Sequence, residues 1–259
     1  MINIEHVSKQ FGSLQVLEDI SINIDQGDIF GIIGQSGAGK STLLRCINGL
    51  EKYNGGSITV EGKEIAGLSQ KELQLVRKDM GMIFQNFNLL GRLNVYDNIA
   101  LPLQFWGQNK NSKENHDRIM ELLDLVGLKD KVNSYPKQLS GGQKQRLTIA
   151  RAIAKHPKIF VFDDSFSALD LKTDAALRKA LQEQVQNSTM IIVAQRISTI
   201  LHADQILVLE NGSIVGKGTH EELLHNCTVY QQIAKSQLSA EELGLSESDT
   251  EEGAMNDGE

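Results

Sequence analysis

The stretch that most constrains this chain is the glycine-rich segment GQSGAGKST at residues 34–42, which matches the phosphate-binding pattern G-x-x-x-x-G-K-[ST] without a mismatch. The apolar run 29–33 before it has the length of a buried strand, and residues 43–47 continue at helical spacing. A strand, a glycine loop and a helix in this order surround an anion with backbone N–H groups and a positive helix end. We therefore expect Lys40 to reach the β- and γ-phosphates of a nucleotide and the Ser41 hydroxyl to bind Mg²⁺.

The composition indicates a globular protein, because 40% of the 259 residues are hydrophobic and 23% are charged. No apolar run approaches the ~20 residues that a membrane-spanning helix needs. The first residues lack the basic and apolar segments of a secretory signal. The two cysteines, Cys46 and Cys227, lie far apart and indicate reduced thiols, so a cytoplasmic protein is expected.

The net charge of −7 is concentrated at one end of the chain. Residues 239–259 hold eight of the 33 acidic residues and no Lys or Arg, which leaves 25 acidic against 26 basic residues in 1–238. The acidic segment is predicted to be a solvated, disordered tail. The near-neutral remainder lacks the basic surface of a nucleic-acid-binding domain, so no nucleic-acid partner is expected.

Strand and helix patterns alternate along the chain and predict an α/β core. Strands are predicted at 2–7, 17–24, 57–60, 80–84, 159–164 and 190–194, and a hairpin at 204–209 and 213–217. Helices are predicted at 70–78, 220–225 and 228–237, and over 95–127 with interruptions at Pro102, Gly107 and 108–113. The ligand of such a core is expected at the carboxyl ends of its parallel strands.

Further residues point to the same chemistry. The run Leu139-Ser140-Gly141-Gly142-Gln143 opens a predicted helix, and a serine with two glycines at a helix start predicts a second anion site. One buried strand ends in the carboxylates Asp163 and Asp164. Phe11, beside Gly12 in a turn, is expected either to pack in the core or to stack on a purine ring.

In their order along the chain, these motifs resemble the ATPase subunits of ABC transporters. The matching motifs are the Walker A loop at 34–42, the Q-loop at Gln85, the signature motif at 139–143, the Walker B strand ending at Asp163 and the D-loop at 167–170. The resemblance covers residues 1–238. It implies an α/β fold of the P-loop NTPase class, an ABC-type nucleotide-binding domain with a RecA-like core, an antiparallel β-subdomain and a helical signature subdomain at about 86–155.

The resemblance also assigns site residues. Those implied to bind ATP are Phe11, Val16, Gly34, Gln35, Ser36, Gly37, Ala38, Gly39, Lys40, Ser41 and Thr42. Those implied to hold Mg²⁺ are Ser41, Gln85 and Asp163, and the catalytic group is Gln85, Asp164 and Gln195. Those implied to face a partner's ATP are Leu139, Ser140, Gly141, Gly142 and Gln143, with Ser167, Ala168, Leu169 and Asp170 as the D-loop.

The resemblance implies a function as well. Subunits of this family hydrolyse ATP where two of them meet, with the P-loop of one facing the signature of the other. The implied partners are a second ATPase subunit or domain, in a homo- or heterodimer, and transmembrane permease subunits. The implied location is peripheral, on the cytoplasmic face of the cell membrane.

Two residues depart from the family pattern in ways that affect hydrolysis. Asp164 stands where the family normally has Glu, and Gln195 stands where it has His. Asp164 is one methylene shorter, and a misplacement of about 1 Å can cost ~10²-fold in rate. Gln195 can donate a hydrogen bond to phosphate but cannot carry a positive charge. We therefore expect a chain that binds ATP and hydrolyses it slowly on its own, the alternative being that both substitutions are neutral.

The two parts of the chain resemble different branches of the family. Residues 1 to about 155 resemble the ATPase of methionine-type importers, and 156–238 resemble the degenerate ATPase domain of heterodimeric multidrug exporters. This predicts a mosaic, either recombined or engineered, and the alternative is a single lineage that drifted. Other functions left open are a non-catalytic ATP-gated partner or scaffold, and a chimeric domain without a dedicated transporter. A soluble ABC protein acting on nucleic acid is disfavoured, because residues 40–140 contain no heptad run and no cysteine cluster.

Overall fold

The computed structural model describes residues 1–164 and 188–238. The D-loop residues 167–170 and the predicted acidic tail lie outside the described residues. Among the described helices, none has both the length and the apolar character needed to cross a bilayer.

The described strands form two sheets. Their bounds are β1 Ile2–Phe11, β2 Leu14–Ile24, β3 Ile29–Ile33, β4 Gly55–Val60, β5 Lys63–Glu64, β6 Met80–Ile83, β7 Ile159–Asp163, β8 Thr189–Val193, β9 Gln205–Glu210 and β10 Ser213–Gly218. The first sheet is antiparallel in the order β2-β1-β4-β5. The second has the order β10-β9-β3-β8-β7-β6, and every pair in it is parallel except the β9–β10 hairpin. The predicted α/β class with an antiparallel subdomain is confirmed.

Seven α-helices occur in the described part of the chain. Their bounds are α1 Lys40–Ile47, α2 Gln70–Lys78, α3 Val95–Phe105, α4 Lys113–Leu125, α5 Gly141–Ile153, α6 His220–Asn226 and α7 Thr228–Gln237. The expected interruption at Pro102 is wrong, because α3 continues through this residue. A proline inside a helix costs about 3 kcal/mol, and the burial of Ile99, Ala100 and Leu103 on the same helix offsets it.

The parallel sheet separates two hydrophobic clusters. Phe160 and Phe162 of β7 pack in one cluster with side chains of α3, α4, α5 and α7. Val161, between them, packs in the other with α1, α2 and the antiparallel sheet. Since successive side chains of a strand point to opposite faces, helix α1, which follows the glycine loop, and helix α5 lie on opposite sides of this sheet.

Candidate functional site

The glycine loop follows β3 and is held by close backbone contacts. Gly34 has a φ of 155°, and a Cβ on it would lie 2.1 Å from the carbonyl oxygen of Leu209. Gly39, at the N-terminus of α1, has a φ of 97°. Within the described residues no side chain caps this helix end, so its first N–H groups are available to bind an anion.

Lys40 lies over the loop that carries it. Its Nζ donates to the carbonyl oxygens of Gly34 and Gln35, both at 2.7 Å. Burial lowers the pKa of Lys40, while the carboxylates of Asp164 and Asp163 act in the opposite direction. A phosphate would supply the negative charge that favours the ammonium form in this partly desolvated position.

Ser41 and Asp163 bring two oxygen atoms together at the end of β7. The Ser41 hydroxyl donates to Oδ1 of Asp163 at 2.8 Å. A hydroxyl and a carboxylate are the donors with which Mg²⁺ completes a shell of phosphate oxygens and water. These two residues therefore fit the Mg²⁺ predicted for this place, and the metal would supply charge neutralisation on the phosphates.

Asp164 lies directly after β7 in a strained backbone conformation. It is 9% exposed and has a φ of 49°, and its N–H donates to the carbonyl oxygen of Val193 at 3.1 Å. Burial and then the charge of Asp163 raise the pKa of Asp164, while Lys40 and Arg196 oppose the rise. A carboxylate with a raised pKa is a better proton acceptor than an ordinary aspartate.

Two amide side chains converge on Asp164. Gln195 donates from Nε2 to Oδ2 at 2.5 Å, and Gln85 donates from Nε2 to the same oxygen at 3.2 Å. Gln85 and Gln195 thus both contact Asp164, although the three predicted catalytic residues follow three different strands. Of these, Gln85 was also predicted to bind the metal, and its amide nitrogen here contacts the carboxylate.

One cavity of about 830 Å³ connects these groups. All of the predicted ATP-binding residues line it, together with Gln85, Asp164 and Gln195. The sequence analysis missed the contribution of α7, of which Val229, Gln232, Ile233, Ser236 and Gln237 also line the cavity. The spacing of apolar residues predicted that this helix exists, but it did not indicate that one face of the helix would line the cavity.

Phe11 lies at the edge of this cavity with 47% of its surface exposed. The ammonium of Lys9 is 4.3 Å from the ring centroid, and the same ammonium donates to Glu51 at 2.7 Å. A cation over an aromatic ring stabilises the ring's position. The alternative of a core phenylalanine is therefore disfavoured, and stacking on a purine stays a prediction.

Replacing Phe11 with alanine is expected to weaken ATP binding more than the binding of inorganic triphosphate. The reason is that stacking, worth on the order of 1–3 kcal/mol, acts on the base and not on the phosphates. Calorimetric titration of both ligands measures the difference, and Leu14→Ala, an exposed neighbour outside the cavity lining, is the matched control. Equal losses for both ligands would contradict stacking.

Comparison with known proteins decides the family. A family model described as ABC transporter matches residues 17–167, more than half of the chain. The chain belongs to the ABC transporter family. Within the family, it is 46% identical over 226 residues to the methionine import ATP-binding protein MetN of Clostridioides difficile, covering 86% of this chain and 70% of that protein. The MetN protein of Clostridium tetani is 47% identical with the same coverage.

Solved structures of ABC proteins resemble this one closely. A dimeric ATP-binding cassette in a post-hydrolysis state, bound to ADP and Pi, has a TM-score of 0.79 at 32% identity and covers 85% of this chain and 98% of its own. A bacterial Atm1-family ABC exporter with ATP bound has a TM-score of 0.81 at 28% identity, covering 92% of this chain and 42% of its own. The similarity to methionine import proteins extends past residue 155, since it spans 226 residues. The predicted exporter-like character of 156–238 stays a prediction.

The signature motif predicted at 139–143 lies away from the cavity at the glycine loop. Ser140 caps α5 through a reciprocal pair of bonds with Gln143, in which each side chain accepts from the other residue's backbone N–H. Leu139 is buried, whereas Ser140 and Gly141 are exposed. None of residues 139–143 lines the cavity. This placement leaves the capped helix end presented to solvent, as a contribution to another subunit's nucleotide would require.

Proposed function

We propose that this chain is the ATP-binding and ATP-hydrolysing subunit of an ABC membrane transporter and powers transport through ATP-driven dimerisation. The observation that carries the proposal is the meeting of Lys40, Ser41 and Asp164 at one cavity, with Asp163 hydrogen-bonded to Ser41. In this site Lys40 and the loop N–H groups hold the phosphates, and Asp164 accepts a proton from the water that attacks the γ-phosphorus as ADP leaves. The proposed functional unit is residues 1–238, with its helical subdomain at about 86–155.

Asp164 and Gln195 make this chain's own site slow in the proposed function. Asp164 is close enough to accept bonds from two amides, but a base one methylene shorter than Glu holds water less precisely over the phosphorus. The exposure of Ser140 and Gly141 in the signature at 139–143 supports a role in completing the site of a partner that carries Glu and His. The combination of a slow site with a signature that can serve a partner also favours a second candidate function, that of a non-catalytic ATP-gated partner.

The partners in this proposal are a second ATPase subunit and a transmembrane permease, with the chain attached peripherally to the membrane through the permease. The relatives' names point to methionine import. Uptake of methionine is therefore the first transport activity to test with a candidate permease.

The experiment measures ATP binding and steady-state ATP hydrolysis by the purified chain, alone and mixed with a partner subunit that carries Glu and His at the two departing positions. We expect the purified chain to bind ATP and to hydrolyse it slowly, and we expect the partner subunit to raise the rate of hydrolysis. Binding with no hydrolysis attributable to this chain's own site would favour the non-catalytic candidate. Absence of ATP binding would overturn the proposal.

A further inference from the structure

Helix α7, the last of the described helices, ends against the segment that carries Gln195. We propose that Gln237, at the end of α7, is a positioning residue that clamps this segment and so sets the place of the Gln195 side chain at Asp164. The inference rests on the proposed function, because it matters for catalysis only where Asp164 and Gln195 act on ATP. The two contacts connect residues 42 and 40 positions apart.

The clamp consists of two hydrogen bonds made by one side-chain amide. Nε2 of Gln237 donates to the carbonyl oxygen of Gln195 at 2.8 Å, and Oε1 accepts from the N–H of Ile197 at 2.9 Å. The two bonds flank Arg196, so together they fix the peptide groups on both of its sides. Rotation of either peptide would break a bond that the planar amide cannot remake without breaking the other.

The base of the clamp is fixed by packing. Tyr230 and Ala234 of α7 are fully buried, and the Tyr230 hydroxyl lies 2.7 Å from Nδ1 of His220. Ile197 is also fully buried, so the clamped segment has one anchored side chain of its own. Because buried side chains in a packed core do not shift freely, α7 provides a fixed reference for the position of Gln195.

The other end of the segment meets the reacting groups. The Gln195 side chain donates to Asp164 at 2.5 Å, and the carbonyl oxygen of the same residue is one of the two groups that Gln237 holds. A shift of the segment by about 1 Å would therefore lengthen the hydrogen bond to Asp164, and such shifts are costly in rate.

The test compares four variants with the unmodified chain, in the presence of the Glu-bearing partner: Gln237→Ala, Gln195→Ala, the two combined, and Gln231→Ala. Gln237→Ala is expected to lower the kcat of this chain's own site about tenfold, with KM for ATP changing less than about twofold. In the Gln195→Ala background, the same substitution is expected to have little further effect, because Gln237 acts through Gln195. Gln231→Ala is the matched control, since this glutamine of α7 donates instead to the carbonyl of Leu224 and does not line the cavity.

Hydrogen exchange provides a readout that does not depend on hydrolysis. Loss of the Gln237 side chain is expected to speed exchange at the Ile197 amide, while Gln231→Ala leaves it unchanged. Unaltered kcat and unaltered exchange in Gln237→Ala would overturn the clamp while leaving the proposed function intact. A tenfold loss that persists in the Gln195→Ala background would show general destabilisation and would also overturn it. Absence of ATP binding by the unmodified chain would overturn the proposed function instead.

Discussion

Replacing Lys40 with alanine is expected to abolish ATP binding. The unmodified chain is expected to bind Mg·ATP in the micromolar to millimolar range. In the proposed site Lys40 contributes a charge-assisted contact to the phosphates, and hydrogen bonds with a charged partner are roughly twice as strong as neutral ones. Alanine is the best helix former and preserves the start of α1, so the loss is expected to be one of affinity and not of folding. Isothermal calorimetry measures it, with circular dichroism as the check on fold.

The matched control for Lys40 is Lys71→Ala, because Lys71 is an exposed lysine of α2 outside the cavity lining. This variant is expected to bind ATP as the unmodified chain does. Unchanged affinity in Lys40→Ala would refute the assignment of the phosphate site. Weakened binding in both variants would show a non-specific effect of lost positive charge.

The combined substitutions Asp164→Glu and Gln195→His are expected to raise kcat by about one to three orders of magnitude, taking the usual range for general-base catalysis as a guide. Glu extends the carboxylate toward the attacking water. His adds a donor that becomes cationic as negative charge develops on the phosphate. In the unmodified chain, Nε2 of Gln195 lies 2.5 Å from Oδ2 of Asp164. Because the two side chains are in contact, the effects of the two substitutions are expected to be more than additive.

The measurement is steady-state hydrolysis by the unmodified chain, each single variant and the pair, beside their ATP affinities. Affinity is expected to change little, because Lys40 and Ser41 are untouched. Asp164 sits at a φ of 49°, a conformation that aspartate tolerates better than glutamate, so Asp164→Glu alone is also expected to lower thermal stability slightly. If the unmodified chain hydrolyses ATP as fast as the pair, Asp164 is an adequate base and the slow-site hypothesis fails.

The sequence predicted those parts of the fold that local patterns determine. The glycine loop, the apolar strand after α5 and the hairpin around Asn211-Gly212 occur where expected, because each has a local signal of composition or period. Pro102 was misjudged for a physical reason. Local propensity argues for a break there, whereas the burial of neighbouring side chains in the core keeps the helix intact.

The sequence predicted which residues form the candidate site, but it did not predict all of the contacts around them. The resemblance to the family placed Gln85, Asp164 and Gln195 in one catalytic group. The structure adds that the amides of Gln85 and Gln195 donate to the same carboxylate oxygen of Asp164. The positive φ of Asp164 has no local signal, because it follows from how β7 meets the neighbouring strand. Gln237 could not be singled out, since a polar residue at a helix end is ordinary and its partner depends on the path of the whole chain.

The division of the core by the parallel sheet has a consequence for genetics. In a homodimer of the proposed kind, each composite site takes its P-loop from one chain and its signature from the other. A chain with Lys40→Ala and a chain with Ser140→Ala would then form a mixed dimer in which one site carries both defects and the other carries none. Because the two helices involved pack in separate clusters, neither defect disturbs the fold around the other. Two alleles that are each inactive alone should therefore complement one another when expressed together.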